Sequence, residues 1–184
     1  MIRLRCRGKG LWASGRSVAP HGETAVIVDL SDPVAIVASS LTWMAVSFAV
    51  GYRAVRWTPA RLAQTGPLTT IRAWEAGGAF WQRHLAVGRW KDRVPDAGGF
   101  FAGGQPKGSV GSRSTDGLEA FRRETVRAER VHWLILGSTP IHLVWCRPAL
   151  ALGMVVFGLA LNLPFIVIQR FNRGRIDRVL ARRR

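Results

Sequence analysis

The chain has few acidic residues, few cysteines and none of the common catalytic motifs. Its 184 residues include only 11 Asp and Glu against 27 Lys and Arg, which gives a formal net charge of +16. Cys6 and Cys146 cannot build a disulfide framework, and no Cys/His cluster has the spacing of a structural zinc site. The motifs G-x-S-x-G, H-E-x-x-H, G-x-G-x-x-G and H-x-x-x-x-D are missing. The enzyme classes that depend on those motifs are therefore not indicated.

Long uncharged runs are present instead. Hydrophobic residues make up 48% of the chain, which argues against intrinsic disorder despite the net charge. Residues 34–52 and 149–168 are uncharged runs of 19 and 20 residues, each able to cross the roughly 30 Å hydrocarbon core as a helix. A third run, 132–146, has 15 residues and suits a short tilted span or a re-entrant segment. Core helices of a soluble protein are the alternative. The sequence predicts an all-α integral membrane protein with about three transmembrane helices.

The positions of the arginines predict the orientation of these spans. Arginines cluster after 34–52, before 132–146 and after 149–168, whereas only Arg147 lies between the last two runs. This pattern predicts a multi-pass protein of a bacterial cell membrane, with the N-terminus outside and the C-terminus cytoplasmic. An inverted first span, with two spans in total, is the alternative.

Residues 33–184 are predicted to form one membrane domain. It comprises a cytoplasmic or interfacial segment at 53–131, a helical hairpin at 132–168 and a basic tail at 169–184. Residues 1–32 are basic and are predicted to be a disordered extension, which is consistent with an over-called start codon.

The segment 53–131 interleaves tryptophan with basic residues, a mixture that suits the headgroup region of a bilayer. We expect Thr70–Gly88 to form a helix on the inner leaflet, broken at Gly77-Gly78. A solvated amphipathic helix packed on the spans is the alternative. Glycine-rich residues 96–114 predict a flexible loop, and a phosphate site near Lys107 is the alternative there.

A helix is also expected at Thr115–Val131, capped by Thr115 or Asp116 and leading directly into the second span. Its C-terminal part carries Glu129 and His132, which are three residues apart and therefore adjacent on the helix surface.

This carboxylate can orient the imidazole and stabilise its protonated form, which suits a general base acting on a hydroxyl group. Glu124 is predicted to be a secondary polar contact. The structural alternative is that Glu129 pairs with Arg127 or Arg130, while His132 anchors the span at the interface. A single E-x-x-H is half of a di-iron motif, and no second copy exists, so no metal is predicted.

Polar residues also interrupt and follow the last span. Asn162 is costly inside lipid unless it faces protein or substrate, and Pro164 is expected to kink the helix. Asn162 and Gln169 are predicted to contact the acceptor or each other, and an interhelical hydrogen bond is the alternative for Asn162. Four residues lie where phosphates or sugar hydroxyls would be: Gln169, Arg170, Asn172 and Arg173. Snorkelling is the alternative for the two arginines.

Three segments together resemble one family. They are Arg89-Trp90-Lys91-Asp92-Arg93-Val94-Pro95-Asp96, then Arg123-Glu124-Thr125 with Ala128-Glu129 and His132-Trp133, then Asn162-Leu163-Pro164-Phe165 with Gln169-Arg170-Phe171-Asn172-Arg173. In order and spacing, over about 34–175, they resemble the glycosyl-4,4'-diaponeurosporenoate acyltransferases, small bacterial membrane proteins of the staphyloxanthin pathway. The N-terminal stretch and the short loop at 145–148 depart from the family pattern.

The resemblance implies transfer of a fatty acyl group to the sugar of a glycosylated carotenoid or another membrane glycolipid. Acyl-CoA is the expected donor, no cofactor is expected, and His132 is the expected base with Glu129 as its orienting group. Substrate contacts, mainly to donor phosphates, are assigned to Trp90, Lys91, Arg123, Arg127 and Arg170.

A non-enzymatic membrane scaffold, or a lipid-binding subunit of an envelope-lipid enzyme, is the alternative function. Polar residues that converge in one cavity would favour the enzyme, whereas polar residues spread over lipid-facing and solvent-facing surfaces would favour the scaffold. Nucleic-acid binding is not indicated, because the arginines follow the membrane boundaries.

Overall fold

A computed structural model describes residues 26–94 and 114–183 of the protein. The predicted N-terminal extension up to residue 25, and the predicted loop at 96–114 except for Ser114, lie outside the described residues. Within them the elements are helices, which confirms the all-α prediction. The α-helices are α1 (Asp32–Ala54), α2 (Pro59–Ala63), α3 (Ala79–Leu85), α4 (Val87–Trp90), α5 (Thr115–Gly137) and α6 (Pro148–Ala181). Three 3-10 helices occupy Ala73–Gly78, Lys91–Arg93 and Thr139–Val144.

Two of these helices, α1 and α6, are long and apolar enough to cross a membrane, with mean hydropathies of 1.8 and 2.3 over their most apolar windows. They contain the predicted runs 34–52 and 149–168. Their outward surfaces are apolar: Val37 is 58% exposed, Leu152 64% and Val156 58%. Water solvates such a belt poorly, whereas hydrocarbon solvates it well.

The third uncharged run, 132–146, does not form one helix. Residues 132–137 complete α5, and a 3-10 helix follows at Thr139–Val144. Pro140 explains the change, because it has no N–H to continue the α-helical ladder. The hydroxyls of Ser138 and Thr139 donate to the carbonyls of Ile135 and Leu136 at 2.7 and 2.6 Å, so the end of α5 is satisfied locally.

Contacts at the two ends show how the three longest helices run. At one end, called the Asp32 end, Asp32 of α1 forms an ion pair with Arg147, which precedes α6. At the other, called the Arg130 end, Arg130 of α5 donates to the carbonyls of Arg61 and Gln64 at 2.9 and 2.5 Å. Helices α1 and α6 therefore run in the same direction, and α5 carries the chain back between the ends.

The segment between α1 and α5 packs on α6 as short helices. The predicted break at Gly77-Gly78 is confirmed, because both residues have positive φ, 60° and 90°. Ala76 (φ 48°) extends this left-handed turn, and Ala86 (φ 47°) makes a second break between α3 and α4. The segment is therefore a series of turns, not one amphipathic helix.

The start of α5 differs from the prediction by one residue. Ser114 is the N-cap, and its hydroxyl accepts a hydrogen bond from the backbone N–H of Gly117 at 3.1 Å. The predicted caps, Thr115 and Asp116, are wrong because they already lie in the first turn.

Candidate active site

Four charged side chains are buried together at the Arg130 end and form what we call the ion cluster: Glu75, Glu129, Arg170 and Arg173. Glu75, Glu129 and Arg173 are 0% exposed and Arg170 is 8% exposed. Arg170 donates to Glu129 at 2.6 Å and to Glu75 at 2.9 Å, and Arg173 also pairs with Glu129. Two carboxylates balance two guanidinium groups, so the cluster carries no formal net charge.

The ion cluster joins three parts of the chain. Glu129 lies on α5, both arginines lie on α6, and Glu75 lies in the 3-10 helix Ala73–Gly78. The backbone segment before Glu75 completes the cluster, because its carbonyls accept hydrogen bonds from the guanidinium groups. Arg170 donates to Leu68 and Thr70 at 2.8 and 2.9 Å, and Arg173 donates to Thr69 at 2.6 Å.

Glu75 is held in its charged form by its neighbours. Burial alone raises the pKa of this carboxyl group, but hydrogen bonds from Arg170, the backbone N–H of Arg72 and the indole of Trp81 outweigh that effect and lower the pKa below its ordinary value. The latter two donors lie at 2.8 Å. The ion cluster is thus charge-balanced, with every carboxylate oxygen hydrogen-bonded, while Nε and Nη1 of Arg173 are buried without a hydrogen-bond partner.

The left-handed turn after Glu75 brings the backbone directly onto α6. A Cβ atom placed on Gly174 would lie 2.5 Å from the carbonyl carbon of Gly77. Only a hydrogen atom fits there, so Gly174 allows the turn to approach and Glu75 to reach Arg170.

His132 and Asn162 form a second polar assembly nearer the Asp32 end. Nδ1 of His132 lies 2.9 Å from Oδ1 of Asn162, and Nδ2 of Asn162 donates to the Gly158 carbonyl at 2.9 Å. Because that second bond fixes the orientation of the amide, Oδ1 faces the imidazole and can only accept. Nδ1 of a neutral His132 therefore carries the proton, and Nε2 carries the lone pair.

The imidazole is also fixed by stacking. The rings of His132 and Phe165 are nearly parallel, with centroids 4.6 Å apart. Asn162 is 6% exposed, whereas His132 is only half-buried. Asn162 precedes Gln169 by seven residues, so the pair lies about 10 Å along α6 from the end of its uncharged run. The base candidate is thus within the apolar part of the bundle but close to its polar end.

An apolar groove of about 510 Å³ begins one helical turn from this pair. Leu136 of α5 and Leu159 of α6 line its near end, and Pro140 and Leu143 continue it towards the Asp32 end. A hydrocarbon chain fits such a lining, and its polar end would then lie beside His132.

Glu129 and His132, which the sequence pairs, each have other hydrogen-bond partners in the structure. The carboxylate of Glu129, predicted to orient His132, accepts from Arg170, Arg173 and the indole of Trp133. The group that orients Nδ1 of His132 is Asn162.

Glu124 pairs with Arg127 at 2.9 Å, one helical turn along α5. Burial raises the pKa of Glu124, against the attraction of Arg127 and Arg123. Neither Glu124 nor Arg127 joins the ion cluster through a hydrogen bond or ion pair that the structure shows.

The other predicted substrate contacts are dispersed. Lys91 pairs with Asp92 at 2.5 Å. Trp90 donates to the Leu85 carbonyl at 2.8 Å and packs against the apolar cluster of Val87, Ile168 and Phe171. Arg123 lines a separate cleft whose acidic residues include Asp177.

On α6, Gln169 is buried and Asn172 is half-buried, both next to the ion cluster in sequence. Sequence reasoning missed Glu75, whose local signal is a glutamate shortly before Gly77-Gly78. Among residues 26–94 and 114–183, no group of three or more His, Cys, Asp or Glu could hold a metal ion.

Comparisons with known proteins agree on one family. The family model for glycosyl-4,4'-diaponeurosporenoate acyltransferase matches residues 66–182, which include the ion cluster, His132 and Asn162. A relative of that name from Staphylococcus haemolyticus (strain JCSC1435) is 27% identical over 139 residues, covering 75% of this chain and 80% of the relative. Another from Staphylococcus aureus (strain USA300) is 29% identical over 107 residues, covering 58% and 64%. No solved structure matches the chain.

Proposed function

The chain belongs to the glycosyl-4,4'-diaponeurosporenoate acyltransferase family, and we propose that it moves a fatty acyl group from acyl-CoA to a sugar hydroxyl of a membrane glycolipid. The acceptor class that the family name suggests is a glycosylated carotenoid. The single observation that carries the proposal is the His132–Asn162 hydrogen bond, because it presents a defined imidazole lone pair next to an apolar groove.

We place α1 and α6 across the bacterial cell membrane, with the Asp32 end outside and the Arg130 end in the cytoplasm. The apolar exposed surface of α1 and of the first part of α6 supports this placement, and so do the arginines concentrated at the Arg130 end. Helix α5 and the 3-10 helix that follows it then return the chain to the outer face. A lipid acceptor and a water-soluble donor can meet at the inner boundary.

In the proposed reaction, Nε2 of His132 accepts the proton of the sugar hydroxyl as its oxygen attacks the thioester carbonyl carbon. A new C–O bond forms, and the C–S bond to coenzyme A breaks. The departing thiolate takes the proton back from Nε2, so the products are an ester and free coenzyme A. Asn162 keeps the other proton on Nδ1 throughout, and a base placed in this way typically contributes about 10²–10⁴-fold to the rate.

The remaining groups are assigned either to substrate binding or to structural support of the site. The apolar groove would take a hydrocarbon chain, and Gln169 and Asn172 are proposed to contact the acceptor sugar. Arg170 and Arg173 are assigned to the scaffold, because their hydrogen bonds go to Glu75, Glu129 and backbone carbonyls. Donor phosphates therefore need other arginines.

The test is acyl transfer by the full chain in membranes supplied with labelled acyl-CoA and a panel of glycolipids. Mass spectrometry of the lipid extract should show a new acylated glycolipid with wild-type protein, and His132→Ala should lower its rate by about 10²-fold or more. His84→Ala is the matched control, because His84 is exposed on α3; it should retain the wild-type rate.

Two outcomes would contradict the proposal in different ways. Equal turnover by His132→Ala and wild type would remove His132 as the base while keeping the enzyme. No product with any glycolipid in the panel would reject acyl transfer to this acceptor class.

A further inference from the structure

A basic groove of about 530 Å³ lies between α3 and α6 at the Arg130 end. Arg83 lines it from α3, and Arg175 and Arg178 line it from the last part of α6. Gly78 and Phe171 form part of its wall. The sequence motifs do not indicate this groove, because Arg83 lies more than 90 residues from Arg175 and Arg178 along the chain.

This groove differs from the other charged sites in having no acidic residue among those that line it. In the described parts of the chain, no carboxylate forms an ion pair with any of its three arginines, all of which are exposed. By contrast, the cleft that contains Arg122 and Arg123 also contains Glu119 and Asp177.

Two of the three arginines of the groove pack on an aromatic ring or on the backbone. The guanidinium of Arg175 lies 5.3 Å from the centroid of the Phe171 ring. The aliphatic part of Arg178 packs over Gly77, where an added Cβ would lie 2.7 Å from the Arg178 Cδ. Their charged ends are thus directed without being neutralised, which suits a multiply charged anion.

We propose that this groove binds the phosphate groups of the acyl donor, coenzyme A thioester. The assignment rests on the acyl-CoA donor of the proposed function. Arg175 follows Asn162 by 13 residues of the same helix, so the groove lies about 20 Å from the proposed base along α6. The pantetheine arm of coenzyme A separates the thioester from the phosphates by a comparable length, and it would have to pass round α6, because 13 residues place Arg175 on roughly the opposite side of the helix from Asn162. The groove also lies at the proposed cytoplasmic end, where the donor is available.

The test measures binding, so it does not depend on acyl transfer. Full-length protein in phosphatidylcholine nanodiscs is titrated with coenzyme A and, separately, with pantetheine, which lacks the phosphates. The double variant Arg83→Gln/Arg175→Gln should bind coenzyme A at least about tenfold more weakly, because it loses two charge-assisted contacts. Its affinity for pantetheine should not change. Arg178 is left intact because it packs on the turn at Gly77.

The matched control is Arg53→Gln/Arg182→Gln, which removes the same charge at the same end of the bundle, outside the groove. It should bind coenzyme A like the wild type. A thermal melt of each variant verifies that it is folded. Equal affinity of the groove variant and the wild type for coenzyme A would overturn the proposal.

A lipid headgroup offers the same phosphate chemistry, so a second arm adds phosphatidylglycerol to the nanodiscs. If the groove variant loses bound phosphatidylglycerol by native mass spectrometry and keeps its coenzyme A affinity, the groove binds lipid and the donor assignment is overturned. If coenzyme A binding depends on the arginines but no acyl transfer occurs, the donor site stands and the proposed acceptor chemistry fails.

Discussion

The ion cluster and the His132–Asn162 pair both use side chains of α5 and α6, and the cluster adds Glu75 from the 3-10 helix Ala73–Gly78, yet they are built differently. In the ion cluster every carboxylate oxygen accepts from a guanidinium, an indole or a backbone N–H. In the pair, a neutral group sets the geometry, because Asn162 holds the Nδ1 proton of a half-buried imidazole and so fixes its tautomer. Carboxylates neutralised by guanidinium groups suit a structural clamp, whereas a neutral imidazole held in one tautomer suits proton transfer.

This difference shows that charge and burial do not by themselves identify a catalytic group. Glu129 is the most deeply buried acid near His132, and its partners are two arginines of α6. Removing one member of such a set leaves a buried charge without compensation, which costs far more than the intact set contributes. We therefore assign the ion cluster to stability and the pair to activity, and the predictions below test that division.

The largest expected effect is on the stability of the ion cluster. Glu129→Gln keeps the size of the side chain but leaves the charge of Arg173 uncompensated in a fully buried position. We expect it to lower the free energy of unfolding by about 3–5 kcal/mol. Reversible unfolding in detergent, followed by circular dichroism, measures this loss.

The matched control is Asp177→Asn, which makes the same kind of change in the α5–α6 ion pair with Arg122. That pair is partly exposed, at 27% and 36% for the two side chains, so its loss should cost no more than about 1 kcal/mol. Equal losses in the two variants would mean that the ion cluster is not a special clamp.

The next effect is on the rate of acyl transfer. Asn162→Leu retains a γ-branched side chain but removes the acceptor that holds the Nδ1 proton of His132. We expect kcat to fall by about 10²-fold or more, with KM little changed, because the tautomer that presents Nε2 is no longer favoured. Single-turnover measurement with labelled acyl-CoA separates this chemical step from substrate binding.

Glu129→Gln gives the complementary result at a temperature where it remains folded. Since Asn162 orients His132, the folded fraction of this variant should retain most of its kcat. A loss of kcat with Glu129→Gln but not with Asn162→Leu would reverse our assignment and restore Glu129 as the orienting group.

The apolar helices are predictable from the sequence because hydropathy is a local property. The runs 34–52 and 149–168 lie inside the helices Asp32–Ala54 and Pro148–Ala181. Each helix extends beyond its uncharged run mainly through charged and polar residues. The turn at Gly77-Gly78 is predictable for the same reason, since two adjacent glycines mark a break wherever they occur.

The ion cluster is not predictable in this way, because it depends on partners 41 and 95 residues apart. Helical spacing places Glu129 beside His132 and gives no information about which residues of α6 face it. Arg170 and Arg173 of α6 bind the Glu129 carboxylate in the structure. Their charge-assisted hydrogen bonds to a buried carboxylate are stronger than a hydrogen bond from a neutral imidazole. The alternative for Asn162, an interhelical hydrogen bond, matches the observed contact. Its partner, His132, is known only from the structure.

The smallest expected effect concerns the close approach that brings Glu75 to Arg170. Gly174→Ala places a methyl group 2.5–2.6 Å from the backbone of Gly77 and Gly78, so the turn must move and weaken the ion cluster. We expect a loss of about 1–3 kcal/mol in the free energy of unfolding. Gly153→Ala in the same helix is the control, because no other atom lies within 4 Å of its added methyl group; its stability should be unchanged or slightly higher. Equal stability of the two variants would show that the turn can retreat without weakening the ion cluster, and the close approach at Gly174 would then not be needed to hold Glu75 against Arg170.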